Sequence, residues 1–528
     1  MEGNTGKNQM FQKNRGKLYF SMGFFAAAVI GLAGFIVGYL LTSGEKEIVI
    51  VPVRGIAQNQ DKAAQPEKAD MPATDTHELT PPAGKPTEKK EVVEEQPPQN
   101  SKPDKESMPL DALLKKIEAL KQSKRRVTYK LPSLKYTDQE LAALREWEKI
   151  WAEKKIDKSN IDRVAQFLPP SFAGLYKNPE QWGAPAEGLY FYITQYQTYT
   201  PTRGELEATI KYAPSVEVRQ DGSIANCAQI SGIPFPAPGN GLEIAHDFDF
   251  NSHGDGAHYR RFCPNINPVS RHERVAEVEI WELFFVNRTE IAPLPAFDAD
   301  QNRKGFRRGM FQQMHSPPEF KDTRMFTMRY IDASKDDDTY MWYAQFRRIR
   351  RMSTAQRTDS IDGTDLIYDD EYFWDGQILR NTYSYTGTKE LLCSRHQDMR
   401  KTTRGSGQAV VNGLTLERCK TLVVDAASKD PNYPYSKRVW YVDPASYLVL
   451  WTEIYDAKGR FWKCFMQNAD VLKTATGEKK HFIVGSQFVD FQKKHAGLSD
   501  QQSHYYSPEI SINVAPDMFS VGNLQKTY

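Results

Sequence analysis

Along SKRVWYVDPASYLVLWTEIYDAKGRFWKCF, Ser436 to Phe465, apolar residues occupy both faces of the strands that the pattern predicts. In the middle strand Leu448, Leu450 and Ile454 fall on one face, and Tyr447, Val449, Trp451 and Tyr455 on the other. An antiparallel sheet with one wet face alternates hydrophobic-in and polar-out. This meander therefore predicts a sheet that is covered twice. Two arrangements satisfy that: a sandwich of two sheets, or one sheet curled into an incomplete barrel around a cavity.

Similar β-branched and aromatic runs recur from about Leu189 onward: GLYFYITQYQTYT, VAEVEIWELFFVN, RMFTMRYID, TYMWYAQFRRIRRM, TYSYTGTKELLC, KTLVVDA and HFIVGSQFVDFQ. Turns at Asp443-Pro444 and around Lys458-Gly459 are short, which makes the flanking strands antiparallel. Before them the period changes to that of helices. MPLDALLKKIEALKQ carries Leu110, Leu113, Leu114, Ile117 and Leu120 on one stripe. TDQELAALREWEKIWAEKK opens with Thr137 and Glu140 as a capping box and aligns Leu141, Leu144, Trp147 and Trp151. Either stripe suits packing on the main domain, docking on a partner or plugging a cavity. A further helix is expected at PTRGELEATIKYA. The pattern thus predicts an α+β protein: one large, strongly curved antiparallel β-sheet covered by helices.

The N-terminal pattern is of another kind. Leu18 to Leu41 is an uncharged, largely apolar run of 24 residues, and about 20 suffice to span a bilayer. Lys7, Lys13, Arg15 and Lys17 precede it, so the positive-inside rule places residues 1–17 in the cytoplasm and the rest outside. A cleaved signal peptide is the competing reading, but the run is long for one and no A-x-A site follows. Gly34 and Gly38 allow a close helix pair in the membrane. Residues 43–106 are rich in Pro, Lys, Glu and Gln without an aromatic side chain, a composition that cannot offset the entropy of ordering. The expected organisation is a cytoplasmic N-terminus (1–17), a transmembrane anchor (18–42), a disordered periplasmic linker (43–106), a helical segment (107–188) and a β-rich domain (189–528).

Charge and chemistry narrow the function. Basic residues number 69 against 67 acidic, so no global field points to nucleic acid. Five cysteines without a C-x-x-C make no disulfide framework; Cys393 and Cys419 are expected either to pair across adjacent strands or to be buried free thiols. G-x-S-x-G, H-E-x-x-H, Walker and G-x-G-x-x-G signatures are missing, and no cofactor or metal is called for. The nearest approach to a catalytic or metal cluster is His246, Asp247, Asp249, His253, Asp255 and His258, whose spacing matches no metal motif. In FRRIRRM, read as one strand, Arg348 and Arg350 share a face suited to an anionic headgroup, and Arg347 and Arg351 share the other. A charged edge that resists aggregation is the plainer reading. If a cavity exists, Trp342, Phe346, Trp374, Tyr383, Tyr385, Trp440, Trp451 and Trp462 are the expected lining.

Three stretches carry a resemblance: YMWYAQFRRIRRMSTAQRTDSIDGTDLIYDD, then YSYTGTKELL, then KRVWYVDPASYLVLWTEIYDAKGRFWK. They resemble the bacterial outer-membrane lipoprotein-sorting-like proteins, related to the periplasmic carriers LolA and LolB. They are most similar to the sister family, domain of unknown function 1329, which ISGIPFPAPGNGLEIAHDFDF (Ile230 to Phe250) also resembles. The resemblance implies a LolA-like half-barrel over 189–528, closed off by helices, whose interior takes acyl chains without covalent chemistry. It also implies work in the bacterial envelope, often beside exporters of the resistance-nodulation-division type, and it favours the cavity over the sandwich. It carries over no catalytic residue. The expected protein is a non-enzymatic carrier of lipid, acyl chains or lipoprotein, anchored in the inner membrane and facing the periplasm. A scaffold with a self-filled barrel, and a metal-dependent hydrolase centred on His246, His253 and His258, are the alternatives. Unlike the family, the chain carries an apparent anchor and tether, and the polar stretch SRHQDMRKTTRGSGQ fits no expected element.

Overall fold

The computed structural model describes residues 108–123, 136–250, 254–267, 271–361, 363–405, 407–503 and 506–526. The expected anchor and linker lie outside these residues, and among the described residues no helix is long and apolar enough to cross a membrane.

Helix α1 (Leu110–Ser123) and α2 (Asp138–Trp151) form where the stripes predict them. The capping box is made: Thr137 N–H donates to Glu140 Oε2 at 2.7 Å, and Glu140 N–H to Thr137 Oγ1 at 3.2 Å. α3 (Pro170–Lys177), α4 (Arg203–Tyr212) and α5 (Gly241–Phe250) follow. The α1 stripe packs through Leu113 and Ile117 on Leu206 of α4, and α2 sets Trp147 and Trp151 against the main core. Helix α5 takes in His246, Asp247 and Asp249 from the histidine and aspartate stretch.

The strands are β1 (Lys155–Ile156), β2 (Phe191–Thr194), β3 (Gly256–Asn267), β4 (Arg271–Phe284), β5 (Phe306–Ser316), β6 (Arg324–Tyr330), β7 (Asp338–Tyr343) and β8 (Arg348–Arg351), then β9 (Asn381–Cys393), β10 (Leu414–Ser428), β11 (Tyr435–Val442), β12 (Val449–Asp456), β13 (Phe461–Lys473), β14 (Lys479–Asp490), β15 (His495–Asp500) and β16 (Glu509–Ile510). All 16 belong to one sheet with the order β1-β2-β10-β11-β12-β13-β14-β15-β3-β4-β5-β6-β7-β8, with β9 on β10 and β16 on β3. The sheet does not close. It is mixed rather than wholly antiparallel, because β2 runs parallel to β10. The polar stretch that fitted no element links β9 to β10.

The opening meander is covered twice, as its pattern requires. On one side Tyr441, Trp451 and Met466 pack with Phe172 and Tyr176 of α3. On the other, Trp440, Ile454 and Phe465 pack with Ile244 and Phe248 of α5 and with Phe373 and Trp374. The register of the meander shifts at three places, and one of them accounts for a change of face. Trp451 pairs with Tyr441 but Val449 pairs with Val442, so Leu450 is the extra residue of a bulge. Val449 therefore enters the core opposite to that of Trp451, although the sequence placed both on one face. Cys393 and Cys419 stand in neighbouring strands but not opposite one another: they face Glu417 and Leu391 respectively, and both are buried free thiols.

Candidate functional site: a cavity beneath an acidic strap

TYMWYAQFRRIRRM is not one strand but the hairpin β7–β8, and residues 353–380 leave it as a strap of short 3-10 turns before β9. Strap residues Ile361, Leu366, Tyr372 and Phe373 face Ala276, Val278, Met314, Met341 and Leu498 of the sheet across a cavity of about 180 Å³. Strands β14 and β7 both contribute to this wall. On a flat sheet the six steps of pairing between them would set them roughly 29 Å apart, so the sheet curls here.

Why a strap so rich in carboxylates lies on a sheet is settled by the cations below it. Glu371 takes both forks of Arg261 from β3, at 2.6 and 3.0 Å. Asp370 accepts from Arg438 and from Tyr435, both in β11 and both at 2.8 Å, and the Arg438–Asp370 pair is fully buried. Asp375 meets Arg308 of β5 and, at 3.3 Å, Arg329 of β6. Asp365 pairs with His495 of β15 and, at 2.9 Å, with Lys493. Breaking a buried pair by removing one partner costs about 3–5 kcal/mol, so these pairs fix the strap's position. At its centre Tyr372 and Phe373 hold φ of 50° and 70°, a left-handed conformation that bulky residues adopt only when their surroundings impose it. The Tyr372 hydroxyl is 2.5 Å from that of Tyr259, which donates to Glu282 at 2.9 Å.

The latch at His495 is expected to respond to pH. Hydrogen bonding to Asp365 raises the imidazole's pKa above its ordinary value, against the effect of burial. Burial would raise the Asp365 carboxyl, but His495 and Lys493 outweigh it and hold that carboxyl below the usual range. A raised histidine pKa stabilises fully below the unfolded value, near 6.5, and that stabilisation is lost as pH rises through the folded value. Amide protection factors across 361–373, corrected for intrinsic exchange, are expected to fall as pH rises from 6 toward 9. In His495→Gln they should be lower and flat; an equal fall in that variant would remove His495 as the cause.

None of the aromatic residues expected to line a cavity lines this one. Trp374, Trp440, Tyr383, Tyr385 and Trp462 belong to the core beneath α5 and the strap, with Trp440 and Tyr383 rings 5.4 Å apart. Trp451 lies fully buried in the opposite core, against Phe172 at 4.7 Å. Trp342 packs with Phe326 in a separate cluster, and Phe346 is 56 % exposed at the β7–β8 turn. The reason is volume: a tryptophan fills the space it faces, whereas this cavity persists where Ala276, Gly497 and Ser499 present short side chains. Arg348 and Arg350 also stand outside the cavity, exposed on β8. They flank Ile349 in register, with Arg348 opposite Tyr343 and Arg350 opposite Met341.

The histidine and aspartate stretch is structural where it is described. His246 Nε2 lies 2.9 Å from the Gly222 carbonyl, and burial lowers its pKa. Asp247 accepts from Phe235 N–H at 2.8 Å, with its carboxyl pKa pushed well up by burial. Asp249 pairs with Arg307. Asp255 caps three backbone N–H groups of Thr289, Glu290 and Ile291 at 2.6–2.8 Å. His258 bridges Glu279 and Glu509 at 2.8 and 3.1 Å, and His253 lies outside the described residues. Among the described residues no group of three or more such side chains is placed to hold a metal ion. The strap was what sequence reasoning missed; its signal was the run of acids in TDSIDGTDLIYDDEYFWD, most of whose partners are far away in sequence, Arg357 within the strap being the exception.

No curated protein matches the chain. Among solved structures, a domain described as that of an outer membrane lipoprotein-sorting protein from Vibrio parahaemolyticus is 16% identical, with 54% of this chain and 98% of that one covered at a TM-score of 0.38. A DUF1329 family protein from Desulfovibrio piger is 14% identical, covering 54% and 97% at a TM-score of 0.37. A LolA superfamily protein from Nitrosomonas europaea is 11% identical, covering 54% and 98% at a TM-score of 0.31. A family model matches residues 155–525, and by that match the chain belongs to the family described as protein of unknown function DUF1329.

Proposed function

We propose that this chain is a non-enzymatic carrier of the bacterial envelope that holds part of a lipid, an acyl chain or a lipoprotein's acyl group in the cavity under the strap. The observation that carries the reading is the cavity itself, whose wall brings three methionines, Val278, Leu366, Leu498 and six aromatic side chains together beside three arginines and three carboxylates, with a cover tied down by ion pairs. Three methionines, Met314, Met325 and Met341, give that wall side chains able to adapt to irregular cargo. At 180 Å³ the cavity is close in size to one of about 150 Å³ that takes a single benzene. About six methylenes fit such a space, and at about 0.8 kcal/mol each they contribute about 5 kcal/mol. That grip holds a chain end and still permits release. A longer chain requires the strap to lift. Anchoring through residues 18–42, a periplasmic position for the β-rich domain, and a partner exporter of the resistance-nodulation-division type are further parts of this proposal.

A scaffold whose half-barrel is filled by its own side chains is the second reading, favoured by the aromatic residues that pack into cores instead of lining a cavity. Ala276→Phe separates the two. One ring nearly fills a space of this size, so uptake of a fluorescent fatty acid should fall at least roughly tenfold while the melting temperature stays close to that of the parent. The decisive contrary result is a parent chain that takes up no probe and brings no lipid through native mass spectrometry.

A further inference from the structure

The hairpin tip beside the cavity has a composition that edge protection does not explain. β7 ends at Tyr343, Ala344 to Arg347 make the turn with Arg347 at φ 47°, and β8 follows as the last strand of the sheet path. Charged residues on an edge strand guard against pairing with another chain, and Arg348, Arg350 and Arg351 serve that purpose. Guarding an edge needs no exposed aromatic ring, yet Phe346 is the most exposed large apolar side chain among the described residues. Around it the charge is one-sided. Arg351 pairs with Asp338 at 2.5 Å, while Arg347, Arg348 and Arg350 have no carboxylate partner among the described residues. The nearby Glu319, whose backbone carbonyl accepts from the Gln345 amide, directs its carboxylate to Arg274 at 3.6 Å.

An apolar ring projecting among unpaired arginines fits the interface of an anionic bilayer, where the ring enters the headgroup layer and guanidinium groups meet phosphates. We propose that the β7–β8 tip docks on an anionic phospholipid surface, with Phe346 inserted and Arg347, Arg348 and Arg350 supplying the charge selectivity. Met341 and Tyr343 of the same hairpin line the cavity, so docking brings that wall to the membrane. The docking stands independently of whether the cavity takes lipid.

The test places an environment-sensitive nitrobenzoxadiazole label at Phe346→Cys in the full chain. The unsubstituted protein, taken through the same labelling, supplies the background from its own thiols. Whatever else attaches the chain to a vesicle, this label reports the tip alone. Its emission should shift to the blue, and brominated lipid should quench it, in phosphatidylcholine vesicles containing phosphatidylglycerol but not in phosphatidylcholine alone. Replacing Arg347, Arg348 and Arg350 together by Gln should weaken the tip's partitioning roughly a hundredfold. These residues are exposed, so the core is untouched, and a label at Gln345→Cys repeats the reading. A label that remains water-like in both vesicle types overturns the docking. Equal insertion into both, or insertion unchanged in the triple variant, overturns the role given to the arginines.

Discussion

Arg395→Met is expected to lower unfolding free energy by about 3–5 kcal/mol, the scale of a buried charge cluster that loses its arginine. Arg395 is 1 % exposed and holds two carboxylates that are equally buried. Its Nη1 donates to Glu417 at 3.1 Å and to the Gln197 carbonyl at 2.9 Å, while Nε and Nη2 donate to Asp443 at 3.2 Å. Glu417 is also met by His396 at 2.5 Å, and Asp443 by Ser446 at 2.8 Å. Burial would push the Asp443 carboxyl up, but Arg395, together with His481, the Ser446 hydroxyl and the Ala445 N–H, outweighs it and holds its pKa below the ordinary value. A depressed carboxyl stabilises above its unfolded pKa and loses that stabilisation as pH falls through the folded one. Without Arg395 the largest cause of that depression is gone, so the variant has less to lose and its deficit should shrink in acid. Denaturant midpoints at neutral pH and near pH 4 measure both effects. Neutralising the carboxylates as well, with Glu417→Gln and Asp443→Asn, should recover part of the loss. A cost below about 1 kcal/mol at neutral pH would refute this account.

Trp451→Ala should cost about as much, 3–5 kcal/mol, for a different reason. The indole is fully buried, edges onto Phe172 at 4.7 Å and donates Nε1–H to the Leu392 carbonyl at 3.0 Å. Removing it leaves a void between the sheet and α3 and leaves that carbonyl without its side-chain donor. Phe346→Ala makes the contrast: its ring is exposed, so stability should change by no more than about 0.5 kcal/mol. Because Trp451 lies apart from the cavity wall, the folded fraction of Trp451→Ala should still take up an acyl probe as the parent does. A folded Trp451→Ala that has lost uptake would return this residue to the binding site.

Arg395 also shows where legibility ends. It sits in the polar stretch between β9 and β10, and nothing local marks it as the most constrained cation of its region. Its carboxylates come from β10 and from the β11–β12 turn. The acidic strap is the same case, since the cations that hold it come from β3, β5, β6, β11 and β15.

What the sequence determined by itself is what short-range periodicity and local chemistry encode. The capping box starts α2, the stripes seat α1 and α2, and a meander apolar on both faces acquires a core on each. Tertiary structure alone decided the rest. A bulge at Leu450 moved Val449 to the other face, a turn at Ala344–Arg347 made a hairpin of one apparent strand, and a parallel contact joined β2 to β10. The cavity likewise lies where short side chains from distant strands meet, and not where the tryptophans are. Volume left unfilled is a property of the packed whole, because a side chain's size shows how much space it takes but not what it faces.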